Sequence, residues 1–280
     1  MDLTPASIEV QAGALRLRCL VWGRDGNPTA MLVHGNGGHA HWWTPLVPAL
    51  VPGWRLVVPD LRGHGESDWP EMPAYRLDDF VGDLETIRDA LAPGPVVLVG
   101  HSMGGRIALG YAARRPEGLL GLALLDSRLG DVDPALAARW RGRVAGGREG
   151  RGYPTRAAAL EAFRFVPDEP GVAPDTTALL AHHAIRERAP GDWTFRFDRA
   201  VLALDGDRAG DLSPLLARIE CPVLLAAGER SWVLDATERA RLAAAQPAVT
   251  MEVFPGGHHF LVAYPVEVGA ALRRFLDGLV

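Results

Sequence analysis

Ser102 stands in the run Gly100-His101-Ser102-Met103-Gly104-Gly105, directly after the apolar stretch Val96–Val99 and directly before a segment with helical spacing. A serine hydroxyl is a weak nucleophile until a base takes its proton, so its placement decides whether it does chemistry. Strand, sharp turn and helix is the context that makes a serine between glycines a nucleophile elbow. The reversal forces the serine into a sparsely populated backbone region, at a cost on the order of 1–3 kcal/mol. Glycines two residues to either side remove the Cβ atoms that would collide there. A second glycine-rich run, His34-Gly35-Asn36-Gly37-Gly38, follows the apolar stretch Ala30–Val33. Backbone N–H groups in such a loop can approach a developing oxyanion closely, and the amides of Asn36 and Met103 are the expected donors.

Two histidines, His258 and His259, follow the last apolar run and are the candidates for the base. His39 and His41 come after the glycine-rich loop, where they can line a pocket, and His182 and His183 lie far along the chain from it. No HExxH or similar ligand spacing occurs, so no metal site is expected. The run Pro59-Asp60-Leu61-Arg62-Gly63-His64-Gly65-Glu66-Ser67-Asp68 reads as a compact turn in which Arg62 and His64 serve packing.

These residues need a frame. Short apolar runs recur at Ala30–Val33, Arg55–Val58, Val96–Val99, Leu119–Leu125, Val223–Ala227 and Val249–Phe254. Near-continuous hydrophobicity suits strands buried on both faces, hence a parallel sheet covered by helices. The segments Leu77–Leu91 and Arg106–Arg114 carry apolar residues at helical spacing, which completes a strand–helix alternation. Ser7–Val21, with Gly13 in its middle, reads as an antiparallel hairpin at the sheet edge. The stretch 127–212 lacks a buried-strand signature and is too long for a connecting loop, so it is expected to be a helical lid inserted into a core of residues 1–126 and 213–280. Helical spacing is clearest over Thr155–Arg164 and Thr177–Arg188. Trp193, Phe195 and Phe197 alternate with polar residues, as in a short strand or a pocket wall.

With 48% hydrophobic and 22% charged residues over 280 positions, the chain can bury a sizeable core. A net charge of −5 with interspersed signs offers no footprint for nucleic acid or an anionic membrane. All 29 basic residues are arginine, so the arginine-rich stretch Arg139–Arg164 is read as a solvated surface before a site for an acidic substrate group. Cys19 and Cys221 lie beside apolar runs and are expected to be buried thiols. The opening residues MDLTPASIEV lack a signal-peptide pattern, and a cytoplasmic protein with neither membrane nor nucleic-acid partner is expected.

The ordered set HG, DLRGHGESD, GHSMGG, CPVLLAAGE and GGHHF resembles the α/β-hydrolase superfamily across nearly the whole chain, the inserted segment excepted. The resemblance implies an eight-stranded, mostly parallel sheet with helices on both faces, a Ser–His–acid triad and no cofactor. A serine at position 102 in place of aspartate sets the chain apart from the haloalkane dehalogenase and epoxide hydrolase branches. In the family the histidine follows a glycine and stands seven residues before the proline of the last helix; Gly257 and Pro265 select His258 over His259. The acid usually follows the seventh strand as Gly-x-x-Asp, but here Gly228-Glu229-Arg230 leads to Ser231. Some branches take it from the end of the sixth strand, where Asp126 stands, and Asp235 and Glu229 are the other candidates. The resemblance therefore implies a serine hydrolase for a small carboxylic ester or lactone, working through an acyl-enzyme. A cofactor-free dioxygenase or a C–C bond hydrolase is the alternative enzyme on this fold, and a hormone receptor with a slow triad is the remote one.

Overall fold

The apolar runs become strands with small changes at their ends. In order they are β1 (Ala6–Ala12), β2 (Leu15–Trp22), β3 (Thr29–Val33), β4 (Arg55–Pro59), β5 (Val96–His101), β6 (Leu119–Leu125), β7 (Ile185–Ala189), β8 (Asp192–Phe195), β9 (Val223–Gly228) and β10 (Thr250–Phe254). The computed structural model describes residues 3–114, 116–131, 148, 150–205, 210–246 and 248–280, with the side chains of 203–205 set aside. Eight strands form one sheet in the order β1-β2-β4-β3-β5-β6-β9-β10. The hairpin of β1 and β2 is antiparallel, β2 also runs antiparallel to β4, and every later pairing is parallel. That is the expected mostly parallel eight-stranded sheet.

Alternation along each strand divides the core between the two faces. Met31, Val33, Leu98, Leu122, Leu124 and Leu225 pack on one side with Phe80, Val81, Leu84 and Ile87 of the helix Leu77–Leu91 and with Ile107 of the helix Met103–Ala112. Ala30, Leu32, Val97, Val99, Leu125 and Ala226 face the other side, under Trp43 and Leu46 of the 3₁₀ turn Ala40–Leu46 and Val268, Leu272 and Leu276 of the helix Pro265–Asp277. Each large apolar side chain so buried contributes about 1.5–3 kcal/mol relative to exposure. Cys19 lies in the first of these layers as a free thiol, pushed up to about 12 by burial, and Cys221 is half-buried and free.

Because the core strands are parallel, β3, β5, β6, β9 and β10 all end on one edge. The loops that leave this edge hold every candidate chemical residue. The compact turn after β4 supports it from the side, as read from the sequence. Asp60, 1% exposed, accepts from the amides of Ala40 (2.6 Å) and Glu66 (3.0 Å) and pairs with Arg18 (3.2 Å). Arg62 donates twice to Asp83 (2.6 and 2.7 Å), and the His64 Nδ1–H donates to the Arg62 carbonyl (3.0 Å).

The insert between β6 and β9 departs from a purely helical reading. It contains helices Arg156–Glu161, Pro174–Ala184 and Ala200–Asp205, and the antiparallel hairpin β7–β8. The helical spacing seen over Thr177–Arg188 stops at Ala184, where Ile185 turns extended (φ −116°, ψ 152°). Pro190 and Gly191 reverse the chain, with Gly191 at φ 74°, and Ile185 pairs with Phe195. Strand pairing with the alternating Trp193–Phe195 run overrides the local helical pattern. Of the arginine-rich stretch, residues 139–147 lie outside the described residues; Arg148 is bound to Asp198 and to the Pro70 and Glu71 carbonyls. Among the described residues no helix is long and apolar enough to cross a membrane.

Burial also sets a pH limit. His34, His39, His64, His101 and His259 are buried, and burial pushes each imidazole pKa down, that of His64 to about 3. The unfolded chain, with histidines near 6.5, therefore binds more protons than the folded one as the pH falls below that value, so stability is full above about pH 6.5 and is lost progressively below it. Thermal melts should show a Tm that is level above neutrality and drops between about pH 6.5 and 5. An unchanged Tm across that interval would contradict the neutral, buried assignment.

Candidate active site

β5 delivers Ser102 with φ 55° and ψ −120°, the positive φ that the elbow reading requires of a non-glycine residue. Its amide donates to Leu125 O (2.9 Å), which ties the turn to the neighbouring strand. The glycines around it are there because other atoms occupy the space, backbone at Gly100 and Gly104 and the Ser127 side chain at Gly105. A Cβ on Gly100 would lie 2.4 Å from Gly104 O, one on Gly104 2.2 Å from Val33 O, and one on Gly105 1.9 Å from Ser127 Oγ. So the helix Met103–Ala112 presses its first turn against the ends of β3 and β6.

Asp126, one residue beyond β6, is also at positive φ (46°) and fully buried. Its amide donates to Ala226 O (2.7 Å), and β5–β6 pairing sets His101 beside Leu125, so Ser102 and Asp126 leave adjacent strand tips. His258 comes from the loop after β10 and is 4% exposed. Its Nδ1–H donates to Asp126 Oδ2 at 2.6 Å, and its Nε2 lies 3.0 Å from Ser102 Oγ as the acceptor of the hydroxyl proton. The acceptor carboxylate on one side of the ring defines the tautomer that leaves the other nitrogen free to take a proton.

The other candidates are occupied elsewhere. Asp235 caps the helix Ala236–Ala245, accepting from the Glu238 amide at 2.9 Å, and Glu229 is exposed. Ser231, at the position where the family resemblance led to the expectation of an aspartate, donates its hydroxyl proton to Asp126 Oδ2 at 2.5 Å, and Gly228 N–H lies 3.3 Å from Oδ1. The slot thus holds a hydroxyl that donates to Asp126 rather than a carboxylate of its own, a role that the sequence reading did not assign. His259 is buried with its ring 5.0 Å from Trp42, 5.7 Å from Phe165 and 4.7 Å from His258, as a wall of the site.

The glycine-rich loop is a tight turn, with Gly38 N–H donating to Gly35 O (3.0 Å) and Gly37 at φ 71°. His34 fixes it: Nδ1–H donates to Gly35 O (2.8 Å) and Nε2 accepts from the Leu61 amide (3.0 Å). A Cβ on Gly35 would come within 3.0 Å of Ser102 Cβ, so loop and elbow abut. Asn36 stands in this turn, its side-chain amide buried without a hydrogen-bond partner among the described residues. Met103 is the first residue of its helix, where amides have no partner within the helix. Beyond Gly37 and His39 a cavity of about 220 Å³ opens between loop and insert, lined also by Phe163, Phe195 and Phe197; Phe195 lies at the end of β8 and Phe197 beyond it.

His41 and His183 stack at 3.5 Å between ring centroids, joining the 3₁₀ turn to the insert. Nitrogens of His101, His258 and His259 lie close enough together to suggest a metal cluster. Both nitrogens of His258 are already engaged, and His101 Nε2–H donates to His258 O (2.9 Å), so a metal ion there would have to break the Ser102–His258–Asp126 chain.

The fold agrees with what known proteins show. The alpha/beta hydrolase fold family matches residues 28–264, and the chain belongs to it. It is 31% identical over 241 residues to an esterase of Mycobacterium tuberculosis, covering 82% of this chain and 75% of that protein. It is 39% identical over 99 residues to a haloalkane dehalogenase of Mesorhizobium japonicum, a match spanning 35% of this chain and about a third (32%) of the dehalogenase. The crystal structure of E-2-(acetamidomethylene)succinate hydrolase superposes with a TM-score of 0.85 over 98% of this chain and 99% of that one, at 24% identity. Proteins named as hydrolases are thus among those this chain is similar to.

The close approach at the elbow is testable. In Gly104→Ala the new Cβ has only the Val33 and His34 carbonyls to meet, so the helix must shift. We expect a Tm lower by about 5–10 °C, or failure to accumulate as folded protein, since overpacking against backbone costs roughly 1–3 kcal/mol or more. A Tm unchanged within about 1 °C would contradict this packing.

Proposed function

We propose that the protein is a serine hydrolase that cleaves a carboxylic ester or lactone through an acyl-enzyme. Ser102 is the nucleophile, His258 the general base and then the general acid, and Asp126 the carboxylate that orients the imidazole. The amides of Asn36 and Met103 hold the oxyanion, and the insert 127–212 acts as a lid over the acyl pocket. The observation that carries this reading is the continuous chain from Ser102 Oγ through His258 to Asp126, at 3.0 and 2.6 Å.

The chemistry follows from that geometry. As Ser102 attacks the carbonyl, its proton passes to His258 Nε2, and Asp126 stabilises the imidazolium that forms. The negative charge on the former carbonyl oxygen is met by donors already in place, which is the largest single contribution in acyl transfer. His258 then returns the proton to the leaving alkoxide, and a water repeats the cycle on the acyl-enzyme. Ser231 donates to the same Asp126 oxygen as His258 and the Gly228 amide approaches the other, so the carboxylate stays aimed at the ring. The esterase relative supports the choice of an ester bond. The acid beyond the sixth core strand is shared with the cofactor-free dioxygenase branch, so oxygen dependence is the discriminating observation.

Fluorophosphonate should label the enzyme once, at Ser102. Ser102→Ala should abolish labelling and lower ester turnover by about 10⁴-fold or more. A panel of nitrophenyl esters and simple lactones should turn over equally under anaerobic conditions. Asp126→Asn should cut kcat by roughly two to four orders of magnitude through the wrong imidazole tautomer, while Asp235→Asn stays within about tenfold. Dioxygen consumption, or label on another serine, would overturn the proposal.

A further inference from the structure

Glu169 belongs to the insert, between the helices Arg156–Glu161 and Pro174–Ala184, and is only 4% exposed. Its carboxylate lies against the backbone of the loop that carries His258. Oε1 accepts from the Gly257 amide and Oε2 from the His259 amide, each at 2.8 Å. The two donors are the residues immediately before and after His258. The loop is shaped to admit this carboxylate, because a Cβ on Gly257 would lie 2.9 Å from Oε2 and one on Gly256 3.1 Å from Oε1.

We propose that Glu169 is a positioning residue for His258, through which the insert sets the alignment of the histidine. The loop is otherwise held from below: Arg230 N–H donates to Gly256 O (2.8 Å), and a Cβ on Gly228 would lie 2.0 Å from Gly257 O. The His258 carbonyl is taken by His101. The two flanking amides have Glu169 as their acceptor, and a buried amide without an acceptor is costly, so the loop takes this shape only when the insert is seated. A carboxylate suits the task because two N–H donors need two acceptor oxygens. A glutamine of the same volume supplies one oxygen and sets an NH₂ group against the other N–H. Seating of the insert and readiness of His258 are then a single event, and a displacement near 1 Å at the ring is enough to impair proton transfer.

The inference rests on the Ser102–His258–Asp126 reading, and its test separates the two. Wild type, Glu169→Gln and Glu169→Asp are titrated with fluorophosphonate and assayed on a nitrophenyl ester, with hydrogen exchange followed at Gly257 and His259. In Glu169→Gln, kcat per titrated site should fall about 10- to 100-fold with KM within about threefold, and exchange at both amides should accelerate. Glu169→Asp keeps two acceptor oxygens and should recover part of the rate. A purely structural role would lower Tm and the titratable fraction but leave kcat per titrated site unchanged, and that result overturns the proposal. Unaltered exchange in Glu169→Gln overturns it as well. A wild type that is not labelled at all defeats the underlying triad reading instead.

Discussion

The bond between His258 Nδ1 and Asp126 Oδ2 joins the loop after the last strand to the tip of β6 across the mouth of a parallel sheet. Sealed from solvent, such a contact is strong only where the carboxylate's other lone pairs are also satisfied, and a partly satisfied network would be worse than an apolar contact. Gly228, the last residue of β9, and Ser231 just beyond it give each oxygen of Asp126 a further donor. Three strand ends and one loop must therefore be in register before the imidazole is fixed. The sheet supplies that register because β5, β6, β9 and β10 are parallel neighbours and end on the same edge.

Strain is confined to the same edge. The non-glycine residues at positive φ among the described residues are Ser102 and Asp126, each just beyond the tip of one of two adjacent strands. Each costs on the order of 1–3 kcal/mol, and the surrounding packing over-determines both. Gly100, Gly104 and Gly105 clear the way for the first turn of the helix after Ser102, and Gly228 lets the His258 loop cross β9. Local strain thus falls on the two residues that the strand tips hold on either side of His258.

Much of this was legible in the sequence for identifiable reasons. β3, β5, β6 and β9 are buried along almost their whole length, and burial on both faces leaves a run of apolar residues that no loop would carry. Ser102 announces itself by glycines at fixed spacing, each required by a backbone contact. Asp126 stood out because Ser231 left the more usual acid position without a carboxylate. Glu169 left no such trace. It is one glutamate in a segment without periodicity, and only the folded insert brings it to Gly257 and His259. The strand Ile185–Ala189 was misread for a related reason, since its pattern continues the helical spacing before it and only its pairing with Asp192–Phe195 shows it to be extended.

The central claim is that Ser102 carries the acyl group of an ester between two half-reactions. Rapid mixing with a nitrophenyl ester, followed by acid quench and peptide mass analysis, observes that intermediate itself. The account predicts a burst of nitrophenol equal to the enzyme present and one acyl group on the peptide containing Ser102, both lost in Ser102→Ala. Steady turnover with no burst and no acylated peptide, or an acyl group on any other residue, would contradict it.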